Sequence, residues 1–269
     1  MARTRTLLAL GIIVLFVFLA VFAGQIAPFD PFQGGQEGLK PPGTPGHLLG
    51  TNHIGQDILS QILYGARISL AVGVSAALSA SLIGAVVGSL AGFFGGWVDG
   101  ALMRLSEFFQ VLPRFVLALV IVAFFGSGTL KLIVVLAILS WPQTARLARA
   151  QILSLRESTF VEAARLSGMR APAIILREIL PNALAPIVIV GSLDIASAIL
   201  LEASLSFFGL GDPNQVSWGF MLNLAQAYLR QAWWMALFPG LAISVVVLSF
   251  NLLGDALNDV LNPRLRESA

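Results

Sequence analysis

The 269 residues include no cysteine and only two histidines. The first absence excludes disulfides, thiolate nucleophiles and cysteine metal sites. The second leaves His47 and His53, six apart in a Gly/Pro-rich loop, short of the three or four ligands a metal centre needs. Charge is also scarce: 11% of residues are charged, against about one in four in soluble domains. The formal net charge of +2 is too small to suggest a nucleic-acid partner. No Gly-x-x-x-x-Gly-Lys-Ser/Thr loop occurs, so the chain lacks the usual cradle for ATP phosphates. No His/Asp/Ser grouping falls in the apolar segments, which argues against an intramembrane enzyme.

Apolar sequence is what the chain has in abundance. Hydrophobic residues make up 57% of it and the mean hydropathy is +0.86. At about 20 apolar residues per helical span, the length holds roughly six spans and no large soluble domain. The expected fold is an all-α integral membrane protein.

The run from Leu7 to Ala23 is longer than a signal-peptide core and reads as a retained first span. A Gly/Pro-rich loop over 28–65 follows, with a short amphipathic segment at Asp57 to Tyr64, and then a second span from about Ile68 to Phe94. Spans three and four are expected at 101–125 and 130–148. Arg104, Glu107 and Arg114 interrupt the first of these, and Arg104 and Glu107 are spaced to pair along one helical face. Gly126-Ser127-Gly128 turns the chain between the two. Spans five and six are expected at 183–207 and 234–257. Trp218, Trp233 and Trp234 lie near span ends, where amphipathic rings suit a membrane interface. No repeated pair of spans is visible, which disfavours a secondary transporter built on internal repeats.

With six spans, both termini and the 149–182 loop share one side. That side collects Arg3, Arg5, Arg149, Arg156, Arg165, Arg170, Arg177, Arg264 and Arg266. The other side holds Lys40, Lys131 and Arg230, with Arg67 near a span end. The positive-inside rule then makes the arginine side cytoplasmic. Three regions follow: a first span plus outer loop (1–65), a five-span core (66–258) and a cytoplasmic tail (259–269).

The 149–182 loop contains "TFVEAARLSGMRAPAIILREILPN". Thr159-x-x-Glu162 fits a capping box that starts a helix at Phe160. Phe160, Ala163, Ala164 and Ser167 share one face, small enough for another surface to approach the backbone closely. Gly168 suits a left-handed stop, Pro172 the first turn of a second short helix, and Pro181 its end. Within the spans, Asp194, Glu202, Asn251 and Asp255 are polar groups that must face protein or water, not lipid. They either line a path or hydrogen-bond between helices.

Glu162-Ala163-Ala164, then Gly168, then Leu180-Pro181 resembles the EAA loop of permease subunits of bacterial ABC importers. "GTNHIGQDILSQILYGARISL", "SWPQTARLARAQIL", "LEASLSFFGLG" and "FPGLAISVVVLSFNLLGDALNDVLNP" resemble one branch, the second membrane subunit of dipeptide, oligopeptide and nickel importers. The resemblance spans about residues 48–266. Asn52, Gln56 and Gln61 stand where that family has acidic and arginine residues, Glu178 where it has Ile or His, and Asn258 and Asn262 where it has Arg and Asp. The resemblance implies the six-helix fold of a type I importer permease with a coupling helix between spans four and five. It implies a homologous second permease, two ATPases that bind ATP and Mg on this chain's behalf, and an extracytoplasmic binding protein. It further implies a bacterial or archaeal inner membrane, no cofactor on this chain and a peptide cargo, with a nickel chelate or glutathione as alternatives. Glu162 and Gly168 are expected to shape the docking element, and Ala163 and Ala164 to dock.

Overall fold

The computed structural model describes residues 2–35 and 38–261, with side chains described from Arg5 to Val260 apart from Gln36 and Glu37. Arg264, Arg266 and Asn262, and most of the expected tail, lie outside the described residues, as does the Arg3 side chain. Among the described residues the fold is all helical: α1 (Ala2–Val21), α2 (Ala23–Ile26), α3 (Ile58–Phe94), α4 (Gly96–Val111), α5 (Arg114–Phe125), α6 (Thr129–Leu155), α7 (Thr159–Leu166), α8 (Ala171–Ala173), α9 (Leu180–Phe207), α10 (Trp218–Ala225) and α11 (Trp234–Leu261). A π-helical stretch, Ile174–Ile179, joins α8 to α9. Four helical rods are long and apolar enough to cross a membrane: 58–94, 129–155, 171–207 and 234–260. The apolar part of α1, Arg5–Val21, is shorter.

The segment expected at 101–125 is two helices meeting at an 87° bend. Pro113 causes it, not the charges: proline offers no N–H to the preceding turn and drives Leu112 into an extended conformation (φ −86°, ψ 139°). Arg104 and Glu107 do not pair with each other, whereas Arg149 of α6 donates from Nε and Nη2 to the Asp99 carboxylate of α4. The amphipathic segment at 57–64 is the first two turns of α3. Asp57 caps that helix by accepting from the Ser60 N–H at 2.8 Å, while its other oxygen pairs with His47 Nδ1 at 3.0 Å.

The most extensive helix contact joins α3 to α6. Its cause is a line of glycines at every fourth position, Gly84, Gly88 and Gly92, lying flat against α6. A Cβ on Gly84 would sit 2.6 Å from Thr144 Cβ, and one on Gly92 would sit 2.9 Å from the Arg149 carbonyl oxygen. With no hydrophobic drive between helices in lipid, such backbone approach is a main source of association. Around this pair α9, α11 and α1 pack in turn. One cluster joins Ile199 and Ala203 to Trp218, Met235 and Val246; a second joins Val72 and Ala76 to Val122, Leu136 and Leu205.

The two ends of the bundle differ. At one end the 28–57 loop is held by a neutral amide network: Asn52 Nδ2 and Gln61 Nε2 both donate to Gln56 Oε1 (2.6 and 2.7 Å), and Gln56 Nε2 donates to the Phe32 carbonyl (2.9 Å). Arg67 is used here as well, donating to the carbonyls of Ala20 and Val21 where α1 ends. Asp212, between α9 and α10, accepts from the Thr129 N–H and hydroxyl at the start of α6. Partial burial pushes the Asp212 carboxyl up, but hydrogen bonds from Asn214 and Thr129 outweigh it and hold it below the ordinary carboxylate range. Trp218 is no interfacial ring: it is fully buried against Gly65, with its indole N–H donating to the Ile62 carbonyl. Trp234 is buried too, donating to the Thr51 carbonyl, whereas Trp233 is open.

Gly88→Val is expected to destabilise the protein by about 1–3 kcal/mol through overpacking at the α3–α6 contact. Gly100→Ala, at a position with nothing nearby, is expected to be neutral or slightly stabilising. Thermal unfolding in detergent measures both, and an unchanged midpoint for Gly88→Val would refute the glycine contact.

Candidate functional site

Two groups of residues stand out, one at the arginine-rich end and one inside the spans. The first is the α7 element. It starts one residue earlier than the capping box implies: Ser158 is the N-cap, its carbonyl accepts from the Val161 and Glu162 N–H groups at 3.1 Å, and no side-chain cap forms. Glu162 is exposed. At the other end the geometry is a Schellman motif. Gly168 sits at φ +78°, its N–H donates to the Arg165 carbonyl, and the Met169 N–H donates to the Ala164 carbonyl at 3.2 Å.

The faces of α7 are not those the spacing suggests. Val161 and Ala164 turn inward, Ala164 only 8% exposed, onto Ile152, Ile174, Ile179 and Ala183. Phe160, Ala163, Leu166 and Ser167 face outward, Leu166 being 84% exposed. Ala163 therefore points outward and Ala164 inward, because the inward stripe follows i, i+3 from Val161. Arg165 stacks over Phe93 at 5.6 Å, and Arg156 Nη1 donates to the Gly92 carbonyl at 3.1 Å, so the α3 end clamps the base of α7.

Pro172 opens α8 as expected, but Pro181 does not end a second helix. The chain from Ala171 to Phe207 is one rod. A proline removes one N–H and its ring crowds a carbonyl one turn back. The π-helical stretch widens the turn ahead of Pro181, so that the Leu180 N–H reaches the Ile175 carbonyl. Asn182 Nδ2 then donates to the Glu178 carbonyl at 2.6 Å. Leu180 is half-buried and Pro181 exposed on this rod.

The second group lies within the spans. Asp194 of α9 is buried and accepts from Thr144 Oγ1 of α6 at 3.3 Å. Glu202, 1% exposed, accepts from Ser69 of α3 at 3.2 Å and from Ser206 at 2.7 Å, with Ser217 as a third partner. Ser69 Oγ in turn accepts from the Trp218 N–H. Glu202 therefore sits in a hydrogen-bonded cluster that joins α9 to α3 and to the start of α10. Asn251 and Asp255 differ: both are exposed on α11 and make no hydrogen bond among the described residues. The glycine line and the Asp99–Arg149 pair were missed from sequence, although a four-residue spacing in "GAVVGSLAG" was there to read.

The profile of the family described as "Binding-protein-dependent transport system inner membrane component" matches residues 84–267. The chain belongs to that family. It is 43% identical over 262 residues to the dipeptide transport system permease protein DppC of Escherichia coli, covering 95% of this chain and 87% of that one. It is 38% identical to the di/tripeptide transport system permease protein DppC of Pseudomonas aeruginosa, covering 95% and 86%. It is 44% identical to the glutathione transport system permease protein GsiD of Shigella flexneri, covering 94% and 84%. Among solved structures, an inward-facing form of the MetNI methionine ABC transporter superposes with a TM-score of 0.62 at 18% identity, covering 76% of this chain and 98% of that one. That likeness shows the fold. The chain is a multi-pass inner-membrane protein, and these relatives are transport permeases.

Glu202→Leu strands the Ser69, Ser206 and Ser217 hydroxyls and is expected to cost about 1–3 kcal/mol in detergent unfolding. Glu202→Gln, which keeps an acceptor oxygen, is expected to retain most of that stability. Full stability with lost transport in Glu202→Leu would instead place the carboxylate in a path.

Proposed function

We propose that this chain forms half of the translocation path of an ATP-driven importer of di- or oligopeptides, with two ATPases, a homologous second permease and an extracytoplasmic binding protein as its partners. The names of the 38–44% identical relatives support the cargo class, and the glutathione permease among them keeps that small peptide as a second reading. ATP and Mg are bound by the partner subunits in this reading.

The observation that carries the mechanism is α7 itself: a short helix locked by its inner face to the ends of α3, α6 and the 171–207 rod, with Phe160, Ala163 and Leu166 presented outward. An aromatic and an aliphatic anchor around a small residue fit a groove on another protein. Closure of paired ATPases on that outer face moves α7 and tilts the 171–207 rod, whose α9 carries both Asp194 and Glu202. Glu162 and Gly168 hold the shape of the element, while Leu180 and Pro181 transmit its motion into α9.

The topology that fits this mechanism has six spans, counting α1 as one and the bent α4–α5 pair as another. Both termini and α7 are cytoplasmic, in keeping with the arginines at that end. The exposed Asn251 and Asp255 then face the second permease or the path, where a mid-membrane polar group avoids lipid.

In proteoliposomes holding the full complex, dipeptide accumulation is expected to require ATP and to survive collapse of ion gradients. Uptake driven by a proton gradient without ATP would contradict the proposal. Gly168→Val, which forces a branched residue to φ +78°, is expected to leave the complex assembled and reduce ATP-dependent uptake at least several-fold. Normal coupling in that variant would contradict the role given to α7.

A further inference from the structure

Arg114 opens α5 immediately after the Pro113 bend. Its Nη2 donates to Gln143 Oε1 of α6 at 2.9 Å, and no carboxylate lies within ion-pair distance of it among the described residues. Next to Gln143, Thr144 bonds Asp194, whose carboxyl feels the Arg114 charge through space. Measured along α5, α6 and α9 from their ends near Asp212, Arg114, Gln143 and Asp194 lie about 17–21 Å deep. Three separate helices thus bring one cation, one amide and one carboxylate to the same layer of a bilayer whose hydrocarbon is about 30 Å thick.

A guanidinium at that depth cannot face lipid without a large cost, so it must meet water or a polar partner. Arg114 is only half-buried, Gln143 is exposed, and of five N–H donors one is used among the described residues. Asp194, by contrast, is buried behind Thr144 and cannot form a close pair with it. The result is a planar donor fork, steadied on one side by Gln143 and open on the other.

We propose that Arg114 is a cargo-contacting residue of the translocation path, giving a transient charge-assisted hydrogen bond to side-chain carboxylates of the passing solute. The proposal rests on the importer reading above and makes peptides with an acidic side chain its favoured cargo. A fork of N–H groups matches a carboxylate in a way that a point charge does not. Asp194, at a distance, tempers the positive potential, so that a carboxylate is attracted without being trapped. Conduction needs both properties.

The test compares uptake of alanyl-aspartate, alanyl-alanine and alanyl-lysine by the reconstituted complex at saturating binding protein, with peptide binding to that protein measured separately. Arg114→Gln is expected to lower alanyl-aspartate uptake relative to alanyl-lysine by about tenfold, the effect of one charge-assisted hydrogen bond. Arg114→Lys is expected to keep part of the preference. An unchanged ratio in Arg114→Gln would overturn the proposal while leaving the importer reading intact. Equal loss for all three peptides in an assembled complex would also overturn it and make Arg114 a positioning residue for the bend. No ATP-dependent uptake of any peptide by the wild-type complex would remove the importer reading itself.

Discussion

The close contact of α3 with α6 is the constraint on which the rest of the structure depends. Three glycines four residues apart let two backbones touch, and dispersion between those backbones replaces the hydrophobic drive that lipid does not supply. The contact fixes where α6 ends, and Arg156 ties that end to Gly92. From there the chain has only Glu157 and Ser158 before α7 begins. The position of the α7 element is thus set by packing inside the bundle, and its inner face of Val161 and Ala164 completes the same body.

A second constraint is that backbone and side-chain polar groups within the bilayer find partners inside the protein. The π-helical stretch before Pro181, with the Asn182 amide on the Glu178 carbonyl, accommodates a proline inside a long rod. Glu202 with its serines, and Asp194 with Thr144, satisfy carboxyl groups in the same way. Among the described residues, Arg114, Asn251 and Asp255 are three groups left with free capacity, and each is at least partly open to a surface. Those positions are where a cargo or a second subunit would be met.

The all-helical membrane class, the four long rods and the helix before Gly168 were legible because hydropathy, length and a left-handed glycine act locally. Details that depend on three-dimensional neighbours were not. Trp218 reads as an interfacial ring, yet Gly65 makes a slot that buries it. Thr159 and Glu162 have capping-box spacing, but the backbone turns one residue earlier at Ser158. Ala163 and Ala164 are chemically alike, and only the packing of Val161 decides which one faces out. Pro181 reads as a stop because the widened turn that accommodates it leaves no local mark. The bend at Pro113 is signalled by the proline alone, and the charges of Arg104, Glu107 and Arg114 do not mark where the helix breaks.

The proposed coupling turns on whether the outward face of α7 meets an ATPase and follows its nucleotide state. The chain has no native cysteine, so a single Ala163→Cys can be crosslinked to single cysteines in the groove of a co-expressed cognate ATPase, with and without ATP. The expected result is a crosslink whose yield changes with nucleotide, with an inward-facing Ala164→Cys reacting poorly. An assembled complex in which Ala163→Cys never crosslinks, or in which Ala164→Cys reacts as well, would contradict this assignment of α7.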